Sequence, residues 1–298
     1  MSTKSKPAPL RAICFGEILW DFLPDGIFPG GAPFNVAYHL HQLGVAVQVS
    51  SAVGKDLLGA EFMRRLEAWN VPTAGIARLA RYPTGYVRAV VGPGGDARYE
   101  ITPRVAWDQI PATPAMLRAA GKADAFIFGS LAQRSATNRA SLKHLLAALP
   151  TRALRVFDVN LRPPYDDLPL VRQLSAQATV LKVNAAEAAR LAGRKPRAGN
   201  EESLARLLAG DSGCDLIVIT SGARGAGLLR FGKWYWEPGR RVDVVDTVGA
   251  GDSFLAAFVT HFLSGLDEKA ILARACRLGE WVASQRGATP RYDHSTPR

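Results

Sequence analysis

An alternation of two kinds of segment limits what this chain can fold into. Short apolar or β-branched runs recur at 12–15, 45–53, 125–128, 154–159, 179–183 and 216–220, interspersed with helix-compatible stretches at 60–69, 138–148, 185–191, 201–208, 252–263 and 268–284. Runs that are apolar throughout, rather than at every second residue, suit strands covered on both faces. Such strands separated by helices predict an α/β fold, with a mostly parallel central sheet and helices on both sides. A chain of 298 residues, 48% apolar and 21% charged, can bury one large core of this kind and is neither disordered nor fibrous in composition. With no internal repeat and no low-complexity linker, 1–298 reads as a single domain.

One stretch departs from the pattern. Residues 85–91 and 96–101 are strand-like and are joined by the turn-rich Gly92-Pro-Gly-Gly95, which predicts a hairpin standing off the main sheet. Such an insertion is either surface decoration or a lid that excludes water from a site.

Several function classes are disfavoured. No apolar run approaches the roughly 18 residues that span a bilayer, and the opening residues lack the apolar core of a signal peptide, so a cytoplasmic location without a membrane partner is expected. Cys14, Cys214 and Cys276 are widely spaced and odd in number, which argues against a disulfide framework and a zinc site; Cys14 and Cys214 lie in apolar runs and should be buried thiols. The formal charge of +11 comes from scattered arginines rather than a basic run interleaved with aromatics, so no nucleic-acid partner is expected. A basic surface instead concentrates small anions such as nucleotides and sugar phosphates.

Two glycine loops carry the chemistry. Asp246-Thr-Val-Gly-Ala-Gly-Asp252 runs into a stretch with Phe254/Leu255, Phe258/Val259 and Phe262/Leu263 at helical spacing. Small residues at a helix start let unpaired amides approach an anion, and Asp252 at the end of the loop could take a proton from an attacking hydroxyl. The competing reading is a carboxylate that merely caps or charges the first turn. The second loop, Gly30-Gly-Ala-Pro-Phe-Asn35, also opens a helix, whose buried stripe is expected at Val36, Ala37, Leu40 and Leu43 with Asn35 outside it. Asn35 and Asp21 could then bond the hydroxyls of a polar ligand lying over Gly30 and Gly31, or act only as a helix-start residue and a turn former. The sequence carries neither a G-x-x-x-x-G-K-[ST] loop nor the H-R-D and D-F-G motifs of protein kinases, and the glycines of 222–227 stand at the wrong offsets for a dinucleotide loop.

Segments 30–54 and 246–259 resemble the two signatures of the PfkB (ribokinase-like) carbohydrate kinase family, with Asn35, Ala37, Gly44 and Gly54 in register in the first. The resemblance covers nearly the whole chain, through Asp158-Val-Asn-Leu-Arg162, Lys182-Val-Asn184 with Glu187, and Thr220-Ser-Gly222 with Gly225. It implies a ribokinase-like three-layer sandwich with a mostly parallel central sheet and a small β-sheet lid around 19–32 and 85–103. It implies an ATP-dependent sugar kinase in which Asp252 is the catalytic base and the amides of Gly249, Ala250 and Gly251 form the anion hole. Asp21, Gly30, Gly31 and Asn35 would bind the sugar, and Arg162 would approach a phosphate or an anionic substrate, unless it forms a surface ion pair. Asn184 and Glu187 would organise Mg²⁺ and the nucleotide phosphates largely through water, although the same two residues read equally as a helix capping box. Thr220, Gly222, Gly225 and Gly251 would contact the nucleotide, and Ala283, Ser284 and Gly287 would line its adenine pocket. A potassium-like ion would sit near the carbonyls of Asp246 and Val248, and the lid would mediate a homodimer.

Within the family, Gly30-Gly-Ala-Pro33, Asp158-x-Asn160-x-Arg162 and Tyr99-Glu-Ile101 followed by Ala106-Trp-Asp108 look most like the fructokinase branch. Fructose is therefore the leading substrate. The alternatives are 2-keto-3-deoxygluconate, whose carboxylate Arg104 and Arg162 could hold, another sugar or nucleoside, and a non-catalytic regulatory relative.

Overall fold

The computed structural model describes residues 9–23, 26–91 and 97–298. The opening residues 1–8, the expected turn at 92–95 and the first residue of the second hairpin run, Asp96, lie outside the described residues. In chain order the elements begin with β1 (Arg11–Phe15), β2 (Leu19–Leu23), β3 (Gly26–Gly30), α1 (Ala32–Gln42), β4 (Ala46–Gly54), α2 (Leu57–Ala68) and β5 (Ile76–Leu79). There follow β6 (Gly85–Val91), β7 (Ala97–Ile101), α3 (Pro114–Ala120), β8 (Ala125–Gly129), α4 (Ala136–Ala147), β9 (Leu154–Asp158) and α5 (Leu168–Ser175). The last third contains β10 (Val180–Asn184), α6 (Ala185–Leu191), α7 (Glu201–Ser212), β11 (Leu216–Thr220), β12 (Gly225–Arg230), β13 (Lys233–Pro238), α8 (Ala250–Leu263) and α9 (Glu268–Ala283).

The central sheet has nine strands in the order β13-β12-β11-β10-β9-β8-β1-β4-β5. Pairing is parallel from β11 to β5, and an antiparallel pair, β12 and β13, is added at the β11 edge. Strands β1 and β8 to β12 feed both faces. On β1, Ala12 and Cys14 enter one apolar cluster with α1, α2, α8 and α9, while Ile13 and Phe15 enter another with α3 to α7. That division explains why these runs are largely apolar: period-two geometry sends alternate side chains to two apolar cores. All three cysteines are buried and free.

A second sheet of four strands, in the order β3-β2-β6-β7, stands apart. The hairpin expected at 85–101 supplies β6 and β7, and β2 and β3 complete the sheet, with β2 parallel to β6. Residues 31 and 32, expected in this element, instead form the N-cap and first residue of α1.

Chain direction places the site. From β1 the chain proceeds to β4 and β5 on one side, and later to β8, β9, β10 and β11 on the other. The crossovers diverge at the carboxyl ends of β1 and β8, where an open parallel sheet forms a crevice for ligands. Helices α1 and α8 bring their N-termini to that crevice and pack against each other.

The α8 side chains hold this arrangement. Phe258 is fully buried and stacks between Phe254 at 6.5 Å and Phe262 at 5.9 Å. Phe258→Ala should lower the unfolding free energy in urea by about 3–5 kcal/mol, the range for an aromatic cavity in a core that cannot collapse around it.

Candidate active site

Two helix starts meet here. Helix α8 begins two residues earlier than the expected 252: Gly249 is its N-cap, at φ +80°, and Ala250 is its first residue, so Gly251 and Asp252 belong to the first turn rather than to a loop. No side chain caps this end. The Ala250 amide bonds to the Thr247 carbonyl at 3.3 Å, while those of Gly251 and Asp252 have no carbonyl one turn back to reach.

Asn35 also differs from expectation. It is buried rather than outside the stripe of α1, because residues 33 to 40 of that helix are all enclosed, whereas Leu43 is only half-buried. The helix is wedged between the sheet and α8, so its polar residues must find partners within the protein. Asn35 Nδ2 donates to Asp252 Oδ2 at 2.8 Å, and its carbonyl oxygen is buried without a hydrogen-bond partner among the described residues. The donor fixes the carboxylate, and the orphan oxygen remains for a ligand hydroxyl.

The other residues expected to bind the sugar lie in the same region. The Asp21 carboxylate lies over Gly30: a Cβ at that glycine would fall 2.1 Å from Asp21 Oδ2. Gly31, at φ +111°, passes so close to the segment between β1 and β2 that a Cβ would meet the Glu17 carbonyl at 2.4 Å. Arg162 is exposed, makes no ion pair among the described residues, and faces the charges of Glu17, Asp21 and Asp252. The surface ion-pair reading of Arg162 therefore does not hold among the described residues.

Burial dominates the electrostatics. It raises Asp252 to about 6, helped by the nearby Asp158 charge and opposed by Lys182, the Asn35 bond and Arg162. It raises Asp21 to about 6, with Arg162 pulling down and Asp252 pushing up. It also raises Glu17 to about 7, against bonds from backbone amides and the attraction of Arg162.

Behind the first turn of α8 lies a buried pair that the motifs contain without indicating its geometry. Lys182 Nζ bonds both carboxylate oxygens of Asp158, at 2.9 and 3.2 Å. A Cβ on Gly251 would sit 3.4 Å from the same ammonium. Burial works against the Lys182 charge, but the Asp158, Glu187 and Asp252 carboxylates outweigh it and hold the ammonium above its usual range. Glu17 is the other residue that sequence reasoning misses. It is 2% exposed, and its Oε2 has no hydrogen-bond partner among the described residues. The available signal was an acidic residue at the very end of an apolar strand run, and for Lys182 a cation inside one.

The residues expected to hold the nucleotide lie at the neighbouring strand ends and at the end of α9. Asn184 and Thr220 are register partners at the carboxyl ends of β10 and β11. Asn184 and Glu187 do form a capping box on α6: Glu187 N donates to Asn184 Oδ1 at 2.9 Å, and Asn184 N to Glu187 Oε2 at 2.8 Å. The other Glu187 oxygen accepts the Leu161 amide at 2.9 Å, tying the 158–162 segment to this strand end. Gly222 and Gly225, at φ +57° and +113°, shape the turn into β12. Ser284 is the C-cap of α9, where the preceding Ala283 carbonyl accepts the amides of Val245 and Asp246. The Asp246 carboxylate accepts from the amides of Val248 and Gly287 at 3.0 and 3.1 Å, and Val248 is exposed. Among the described residues no hydrogen bond links the Thr220–Gly225 turn or Ser284 to Asp252, and no cluster of three or more His, Cys, Asp or Glu side chains could cage a metal. Among them, too, no helix is long and apolar enough to cross a membrane.

A family model described as pfkB family carbohydrate kinase matches residues 26–294. The chain is 31% identical over 271 residues to an uncharacterised sugar kinase of Pyrococcus horikoshii, covering 89% of this chain and 84% of that one. The crystal structure of that kinase in complex with ATP superposes with a TM-score of 0.80 at 26% identity, over 97% of this chain and 95% of its own. A fructokinase of Rhizobium leguminosarum bv. trifolii is 26% identical, covering 87% of this chain and 85% of that protein. An aminoimidazole riboside kinase of Salmonella typhimurium is 30% identical over 83% of this chain and 78% of its own length.

Because folding raises Asp252 to about 6, its charge costs stability above that pH, and the cost vanishes once the group is protonated in folded and unfolded states alike. Asp252→Asn removes the charge and can keep the bond from Asn35. The variant should be more stable than the parent at pH 8 by on the order of 2 kcal/mol, with the gap closing toward pH 4, as read from paired thermal melts.

Proposed function

This chain belongs to the pfkB family of carbohydrate kinases, and on that premise we propose that it transfers the γ-phosphoryl group of ATP to a primary hydroxyl of a small sugar, with fructose preferred. One observation carries the reading: Asp252 stands in the uncapped first turn of α8, its carboxylate oriented by Asn35 and made more basic by burial. A carboxylate poised near 6 is ionised at neutral pH and basic enough to accept a hydroxyl proton as the new O–P bond forms. The Gly249–Gly251 amides point the positive end of the helix at the charge developing on the phosphoryl oxygens. Asp21, Asn35 and the close-packed Gly30 and Gly31 hold the sugar hydroxyls, and the four-stranded sheet acts as a lid that excludes water from the transfer.

The nucleotide lies across the carboxyl ends of β10 and β11, against Thr220, Gly222, Gly225, Gly251 and Ser284. Mg²⁺ fits this donor set through water: both Glu187 oxygens already accept backbone amides, and Asn184 caps α6, so neither side chain is free for a full inner coordination sphere. When bound, the ion neutralises phosphate charge. The carbonyls of Asp246 and Val248 are the place for a monovalent cation such as K⁺. We place the enzyme in the cytoplasm, with the lid as its homodimer interface.

The Rhizobium fructokinase supports fructose. A second reading, 2-keto-3-deoxygluconate, draws on Arg162, an exposed cation without an ion-pair partner among the described residues that faces the site and could hold a sugar carboxylate. An ADP-release assay over fructose, 2-keto-3-deoxygluconate, ribose, fructose 6-phosphate and adenosine decides between them. Fructose should give the highest kcat/KM; equal values for all five would overturn the assignment. Asp252→Asn should lower kcat by about 10²–10⁴-fold with sugar affinity retained, as expected for a lost general base, and near-parental turnover would remove Asp252 from that role.

A further inference from the structure

Helix α1 does more than present Asn35. One turn further along the same face, at i+4, lies His39, fully buried. Its Nε2 lies 2.9 Å from the Ala288 carbonyl oxygen and its Nδ1 lies 2.8 Å from the Tyr292 hydroxyl. A carbonyl can only accept, so Nε2 carries the proton and Nδ1 accepts from Tyr292. Burial lowers His39 to about 4, against the opposing effect of the Ala288 bond, so the ring stays neutral and this arrangement persists across the physiological range. The neighbouring Tyr38 hydroxyl donates to the Pro290 carbonyl at 2.9 Å. Three side-chain bonds therefore strap residues 288–292, beyond the end of α9, to α1.

That strap lies directly against the glycine loop. A Cβ at Gly249 would fall 2.6 Å from Ala288 Cα and 2.7 Å from Ala288 O, so the N-cap of α8 rests on the backbone of residue 288. The Gly287 amide donates to Asp246 Oδ2 at 3.1 Å, which pins the other end of the same loop. Helix α1 thus holds the first turn of α8 at two points, at Asp252 through Asn35 and at Gly249 through His39 and Ala288.

We propose that His39 and Tyr292 are positioning residues: they fix the strap whose backbone sets the height and angle of the 246–251 amides relative to Asp252. The proposal rests on the sugar-kinase reading for its catalytic consequence, but not for its structural one. The pair touches no substrate. It sets the place of the amides that would face the transferring group, and a shift of about 1 Å there can cost on the order of 10²-fold in rate.

Three variants test it. His39→Gln keeps a donor at the reach of Nε2, His39→Leu removes both polar atoms, and Tyr292→Phe removes one hydroxyl while keeping the ring against Tyr38 and Trp281. In ADP-release assays with the best sugar of the panel, His39→Leu should lose about 10–100-fold in kcat with sugar KM changed less than about threefold. His39→Gln should recover most of that loss, and Tyr292→Phe should fall between. In parallel, hydrogen exchange read by mass spectrometry should quicken at 246–254 in His39→Leu and return toward the parental rate in His39→Gln. If His39→Leu matches the parent in kcat and in exchange at 246–254, the brace is wrong. If His39→Gln is as impaired as His39→Leu, or the kcat losses only track the loss of folded protein in thermal melts, the residue is merely structural and the proposal falls. Should His39→Leu not fold, Tyr292→Phe decides by the same two readouts. A parent that phosphorylates no sugar, together with the expected exchange pattern, would overturn the functional reading and leave the brace standing.

Discussion

The bond from Asn35 to Asp252 is the contact on which the site depends. It spans 217 residues of sequence and joins the first turns of two helices that lie on the same face of the sheet. Such a contact requires β1, β4 and β8 to be paired and α1 and α8 to be packed against each other. The site is therefore a product of the finished fold and has no local precursor. Packing supplies its rigidity: α1 is buried along residues 33 to 40, and α8 is anchored by an aromatic stack, so neither helix can turn to relieve the charge between them.

That charge is considerable. Glu17, Asp21, Asp158, Glu187 and Asp252 gather around the crevice, with Lys182 buried among them and Arg162 at the rim. Water would normally screen such a crowd. Here burial raises the protonation points of Glu17, Asp21 and Asp252, and the unfavourable desolvation is retained as basicity at the carboxylate in the first turn of α8. Stability and chemistry are in tension at that position, as is common where a functional group is held in an environment that disfavours its charge. Lys182 limits the damage, because its ammonium bonds Asp158 while lying beneath Gly251.

Much of the architecture could be read from the residues. The apolar runs at 125–128 and 216–220 lie within β8 and β11, because a strand covered on both faces must be apolar at every position and few other structures require that. The hairpin at 85–101 was legible from its turn chemistry, and the capping box of Asn184 and Glu187 from its spacing. By contrast, β12 and β13 were not read as strands, and the lid segment 19–32 rested on the resemblance alone: Pro29, Gly225, Gly227 and the polar residues of β2 and β13 interrupt the apolar runs that mark the other strands. Asn35 was placed outside the buried stripe because helical periodicity describes one contact face, whereas α1 is enclosed on all sides.

The residues by themselves determined the α/β class, the two glycine-opened helices and the kind of chemistry that an anion-binding turn beside a carboxylate can perform. These follow from local rules: backbone conformation, helix ends and periodicity. Only the tertiary structure decided which groups meet: Asn35 with Asp252, Lys182 beneath Gly251, and Ala288 against Gly249 under the hold of His39. The reason is physical. A side chain's partner and its proton affinity depend on what packs around it and how much water is excluded, and both are properties of the assembled core that no stretch of sequence possesses alone.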